Sequence, residues 1–146
     1  MTNVVLPQAV SRALRRIRGA QAFLLAGSQA LRKASKNSDW DVFVILKDGM
    51  PGWRKTWQVG EDKLEVFCSD RRHIEKDLVD EIRGGRGITV HMFANGQIIS
   101  DNAAHDLCRL TRMASRLWKN GPESLSAAER AFADYDIATY IEDMED

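Results

Sequence analysis

Residues 23–28 read Phe-Leu-Leu-Ala-Gly-Ser, and ten residues later 39–42 read Asp-Trp-Asp-Val. The apolar run 22–26 has the length of a buried strand, and Gly27-Ser28 breaks it. Residues 39–46 alternate at first and then become wholly apolar, a second strand. Side chains two apart on a strand share a face, so Asp39 and Asp41 present two carboxylates together. Trp40 then turns to the opposite side, toward a hydrophobic layer. A third apolar strand, 64–68, carries Glu65 between Leu64 and Val66. If it lies beside the second, Glu65 joins the aspartates.

Clustered carboxylates repel one another unless a cation sits between them. Magnesium takes oxygen ligands, commonly one or two carboxylates plus substrate phosphates. Two such ions can clamp the attacking and leaving oxygens of a phosphoryl displacement. Gly27 lacks a Cβ and lets backbone approach a phosphate. Ser28 adds a hydroxyl and a backbone N–H. A Gly-Ser dipeptide or an Asp-x-Asp alone means little. Burying three unpaired acids at strand positions is costly, which gives their joint occurrence a chemical meaning. The parts match metal-assisted attack on a nucleoside triphosphate.

Around this centre the chain reads as a mixed α/β layout. Pro7 opens a helix with Val10, Ala13, Leu14 and Ile17 at helical spacing, closed by Gly19. Residues 53–59 alternate as a more exposed strand bearing Trp53 and Trp57. Ser69 or Asp70 caps a helix carrying Ile74, Leu78 and Ile82. Residues 89–93 and 97–100 flank Asn95-Gly96, a strong hairpin signal. Asp101 or Asn102 caps a long helix with Leu107, Leu110, Ala114 and Leu117, stopped by Gly121-Pro122. Ser126 and Glu129 form a capping box before a last helix with Phe132, Ile137, Tyr140 and Ile141. The expectation is a mixed β-sheet with flanking helices and two C-terminal helices. It is one domain over 1–146, with a sheet-bearing core in 1–100 and helices in 101–146.

The 146 residues suit a single domain that needs no disulfide or structural metal to fold. Hydrophobic residues at 44% and charged residues at 29% argue against disorder, a fibre and a membrane protein. Two cysteines, Cys68 and Cys108, make no disulfide framework, and no signal pattern opens the chain, so the expected location is cytoplasmic. Net charge is zero, yet residues 1–38 hold seven bases and no acid, whereas 123–146 hold eight acids and one base. The basic front suits an anionic ligand. Attraction between the two ends, or plain solvation, explains it as well.

Gly27-Ser28, the ten-residue gap and Ser38-Asp39-Trp40-Asp41 resemble the signature of the DNA polymerase beta-like nucleotidyltransferase superfamily. Within it the likeness is to bacterial kanamycin-nucleotidyltransferase-like and minimal nucleotidyltransferase proteins. Arg32 stands where a glycine is common. Leu64-Glu65-Val66-Phe67 resembles the third-acid strand, and 91–101 and 114–146 resemble the later hairpin and helices. The resemblance implies the nucleotidyltransferase fold and transfer of a nucleoside monophosphate, AMP foremost, from an NTP to a hydroxyl, with release of pyrophosphate. Asp39, Asp41 and Glu65 would hold two Mg²⁺ ions. Glu65 would complete the site that activates the acceptor. Gly27 and Ser28 would hold the outgoing phosphates, with Ser38, Lys33, Arg116 and Lys119 as further nucleotide contacts.

Many relatives continue into a helical domain that holds the acceptor, so a homodimer or a second protein is expected to complete the site. Trp53 and Trp57 share one strand face and are a candidate contact surface or a stacking platform for a base, or else they cover a helix. Arg112, Arg116 and Lys119 form one basic stripe on the long helix. It is either a solvated face or a triphosphate contact. His73, His91 and His105 are too scattered for a metal motif, and Cys68 reads as a core thiol. No membrane is expected, and nucleic acid is not favoured as partner. Two other readings stand beside the small-molecule enzyme. One is a minimal nucleotidyltransferase antitoxin that modifies a helical partner toxin, and the other is a non-catalytic nucleotide- or protein-binding module.

Overall fold

A computed structural model describes residues 3–34 and 38–121. Five strands among these residues form one mixed sheet in the order β3-β4-β2-β1-β5. They are β1 (Ala20–Ala26), β2 (Trp40–Leu46), β3 (Trp53–Val59), β4 (Asp62–Asp70) and β5 (Gln97–Ser100). The β2–β4 pair is parallel and the others are antiparallel.

Strand alternation divides the core into two layers. Leu25, Val42, Val44, Leu64 and Val66 face α1 (Gln8–Arg15), which buries Val10 and Leu14 against them. Trp40 packs partly buried on this layer, as its position between two aspartates requires. Ala22, Leu24, Phe43 and Ile45 face the other way, toward α3 (Arg71–Arg83), α4 (Ile88–Ala94) and α5 (Asp106–Asn120). The helical turn α2 (Gly27–Ala30) follows β1 directly. No helix among the described residues is long and apolar enough to cross a membrane.

Helix caps follow the sequence closely. Asp70 is the N-cap of α3 and accepts the His73 N–H at 3.0 Å. Asp101 accepts the N–H groups of Leu107 and Cys108, and Asn102 accepts that of Asp106, so both cap α5. The capping box at 126–129 and the last helix lie outside the described residues.

One expectation fails. Residues 89–93 are not a hairpin strand but part of helix α4. The β-branched run Ile88-Thr89-Val90 favours a strand locally, but tertiary contacts override that preference. Val90 and Phe93, three apart, are fully buried on one helical face. The Glu81 carboxylate accepts the N–H groups of Thr89 and Val90 and so caps the new helix. Asn95-Gly96 ends α4, and β5 then pairs with β1. A Cβ on Gly96 would lie 2.9 Å from Leu24 Cδ1, so its value here is close packing against β1.

Candidate functional site

The parallel register sets Asp41 of β2 beside Glu65 of β4. Asp39, just before β2, projects on the same face. Ligand oxygens from Asp39, Asp41 and Glu65 all lie within 4.8 Å of one another. They sit at one end of the sheet face that elsewhere packs α3, α4 and α5.

Asp41 occupies the most constrained place. Burial first, then the charges of Glu65 and Asp39, push its carboxyl up from an ordinary 3.8 to about 6. Its Oδ1 is buried without a hydrogen-bond partner among the described residues. Buried carboxylate oxygens are nearly always satisfied, so this atom asks for a cation or a bound ligand. Three oxygens of hard donors converging on one point fit Mg²⁺.

Among the described residues, two cations touch the cluster. Arg54 of β3 donates to Glu65 Oε1 through Nε at 2.8 Å and also through Nη2, while its guanidinium stacks 4.7 Å over the Phe67 ring. Lys63 Nζ lies 3.8 Å from Asp39 Oδ2 at an exposed position, where such a pair is weak. Neither stands out in the sequence. The usable signal is strand parity: Arg54 and Lys63 alternate onto the face of Glu65 only once the β3–β4 register is known.

Gly27 adopts φ +67°, a left-handed conformation that a side chain disfavours, and a Cβ there would collide with Asp41 Oδ2. The loop backbone is therefore pressed against the acids. Arg32 also takes a left-handed φ of +57°.

A cavity of about 430 Å³ opens beside the loop, lined by Gly27, Ser28 and Lys33 together with Ile88, His91 and Trp118. His91 thus belongs to a cavity wall, which its isolation in the sequence concealed. Gln29 Nε2 donates to the Ser38 carbonyl at 3.3 Å, tying the two ends of the loop together. Arg116 and Lys119 are exposed on α5, and neither lines this cavity. A larger groove of about 640 Å³ runs from Glu65 and Arg54 across Phe43 and Phe67 to Met92.

Trp53 and Trp57 lie 5.9 Å apart and are half-buried on the α1 side of the sheet, lining a cleft with Ala13 and Ile17. Cys68 is buried, which pushes its thiol up to about 12, as a core thiol requires.

A nucleotidyltransferase-like protein from Exiguobacterium sibiricum matches this architecture with a TM-score of 0.51 at 15% identity. The match covers 72% of this chain and 35% of that one, so the chain spans about a third of that protein. The fold is nucleotidyltransferase-like. A toxin–antitoxin structure with AMP-PNP matches at a TM-score of 0.50 and 14% identity, over 88% of this chain and 96% of that one. No protein-family model and no curated protein matches the sequence.

Proposed function

We propose that the chain is a metal-dependent nucleotidyltransferase that moves a nucleoside monophosphate, AMP foremost, from an NTP to a hydroxyl acceptor. The observation that carries this reading is the unpartnered, buried Asp41 Oδ1 within a cluster of three carboxylates, pressed against a glycine loop. In the reaction the acceptor oxygen bonds to the α-phosphorus, the bond to the β-phosphate oxygen breaks, and pyrophosphate leaves. Two Mg²⁺ ions held by Asp39, Asp41 and Glu65 would neutralise the phosphates and acidify the acceptor hydroxyl. Glu65, at the border of the larger groove, takes up the acceptor's proton or helps hold the metal. Gly27 and Ser28 offer close backbone approach to the departing phosphates, and Lys33 offers charge beside them. Ser38, Arg116 and Lys119 complete the set of nucleotide contacts in this reading.

The sequence motif resembles that of the kanamycin-nucleotidyltransferase-like branch, and two cysteines without a disulfide framework suit a cytoplasmic setting. Incubation with Mg²⁺ and each of the four NTPs, followed by mass analysis of candidate acceptors, tests the activity. One added nucleotide mass with pyrophosphate release is expected. Absence of both for all four NTPs, with and without a partner protein, would end the proposal.

A second reading has support of its own. The near-complete mutual coverage with a toxin–antitoxin structure favours a protein acceptor over a small molecule. In this reading the chain is an antitoxin that places the nucleotide on a hydroxyl side chain of a helical partner. A co-purifying helical protein that gains one nucleotide mass when Mg-ATP is added separates the two readings. A monomer that turns over a small acceptor unaided favours the first.

A further inference from the structure

The cavity beside Gly27-Ser28 has a composition that phosphate binding does not explain. Ser28, Lys33, Arg86, His91 and Asn95 bring polar groups to its wall, and Leu31, Ile88, Met92 and Trp118 bring a large apolar share. Phosphates can use those donors, but the four large apolar side chains offer phosphate oxygens no hydrogen bond. Its volume, about 430 Å³, falls within the range of sites that enclose small organic molecules.

Trp118 is the distinctive part. It is 51% exposed, a large hydrophobic side chain left half in solvent near the end of α5. Its ring is nevertheless held. His91 meets it edge to face at 4.9 Å and 63°. Gly87, in a left-handed conformation at φ +62°, lies alongside it, and a Cβ there would make an ordinary contact at 3.4 Å from Trp118 Cζ3. A supported, half-exposed indole is a stacking platform for a flat π-system, whose burial it rewards whatever the ring's substituents. Ile88, 64% exposed at the head of α4, supplies a second apolar surface on the same cavity.

The cavity and the acid cluster share a residue. Gly27 lines the cavity, and its missing Cβ would strike Asp41. A molecule with an anionic end at the acids and a flat apolar end fits this continuity. We propose that the nucleobase of the bound NTP stacks on Trp118 in this cavity, against Ile88, so that base binding is built from α4 and α5. This rests on the nucleotide-transfer reading.

The test compares Mg-ATP with Mg-tripolyphosphate, which has the phosphates but no base, by calorimetry on the full chain. Trp118→Ala should weaken Mg-ATP binding at least about fivefold, the low end of a base-stacking contribution. Tripolyphosphate binding should stay within about twofold, and Trp118→Phe should recover most of the loss. Should Trp118→Ala fail to fold, Ile88→Ala at its exposed position gives a smaller loss in the same direction, again for ATP alone. If Trp118→Ala binds ATP as tightly as the wild type, the base lies elsewhere and the proposal is overturned. If ATP and tripolyphosphate weaken together, Trp118 serves the phosphates rather than the base, and the proposal is also overturned. A wild-type chain that binds neither ligand refutes the nucleotide-transfer reading itself, and the base site with it.

Discussion

Gly27 and Asp41 stand so close across the end of the β1–β2 pair that any side chain at 27 would occupy the place of the Asp41 carboxylate. The contact joins the phosphate-loop candidate to Asp41, whose carboxyl is pushed up by burial and by its acidic neighbours. It also explains why the loop opens with glycine on two counts, the φ of +67° and the missing space.

Gly27→Ala is therefore expected to act on both stability and ligand binding. The left-handed conformation costs a Cβ-bearing residue roughly 1–2 kcal/mol, and Asp41 must also move. The thermal midpoint should fall by about 2–8 °C, and Mg-dependent nucleotide binding should be lost. Calorimetry with and without Mg-ATP reads both. Full nucleotide affinity in a variant of normal stability would separate the loop from the site.

Asp39→Asn should weaken Mg²⁺ and NTP binding together, by about tenfold or more, and leave the fold intact. Removing one of three clustered carboxylates relieves repulsion, and the exposed pair with Lys63 contributes little. The metal-free thermal midpoint should hold or rise. Strong destabilisation with unchanged NTP affinity would rule out a metal-holding role.

Glu65→Gln should retain NTP binding but slow transfer at least about a hundredfold, the scale of a general-base contribution. Isothermal binding and initial-rate assays distinguish the cases. Equal losses in affinity and rate would make Glu65 an ordinary nucleotide ligand, and unaltered activity would remove it from the site.

The acid cluster should leave a mark on the pH dependence of stability. Asp41 has its folded pKa raised from 3.8 to about 6. Below the lower value the carboxyl is protonated in both folded and unfolded chains and costs nothing. As pH rises toward the upper value only the unfolded chain ionises freely, so the fold loses stability. Asp41→Asn should therefore match the wild type near pH 4 and exceed it by about 1 kcal/mol or more above pH 6 in metal-free buffer. Denaturant titrations across that range check it. Mg²⁺ affinity of the wild type should rise over the same interval, because the metal takes the ionised form.

Asp70 has the opposite sign. The N–H groups of His73 and Gly49 donate to its carboxylate and hold it down at about 2. Its contribution is complete above the unfolded value near 3.8 and disappears as pH falls through about 2. Asp70→Ala should cost about 1–2 kcal/mol at pH 7, the usual worth of an N-cap. Most of that difference should vanish near pH 2, as urea unfolding at the two pH values would show.

Local patterns determined most of the framework. Apolar runs, two-residue alternation and the caps Asp70, Asp101 and Asn102 specify β1 to β4, α3 and α5 because each depends on neighbours within a few residues. The shared face of Asp39 and Asp41 follows from strand geometry alone. Other features exist only in the fold. The parallel register that sets Glu65 beside Asp41, the reach of Arg54 to Glu65 and the convergence of Gly27 with Trp118 on one cavity join residues far apart in the chain. Residues 88–94 show the limit most plainly. Their β-branched run favours a strand, and only the burial of Val90 and Phe93 with the cap from Glu81 makes them a helix. Side-chain burial and a cap from a distant carboxylate outweigh propensities of a few tenths of a kcal/mol per residue, and neither is visible in the segment itself.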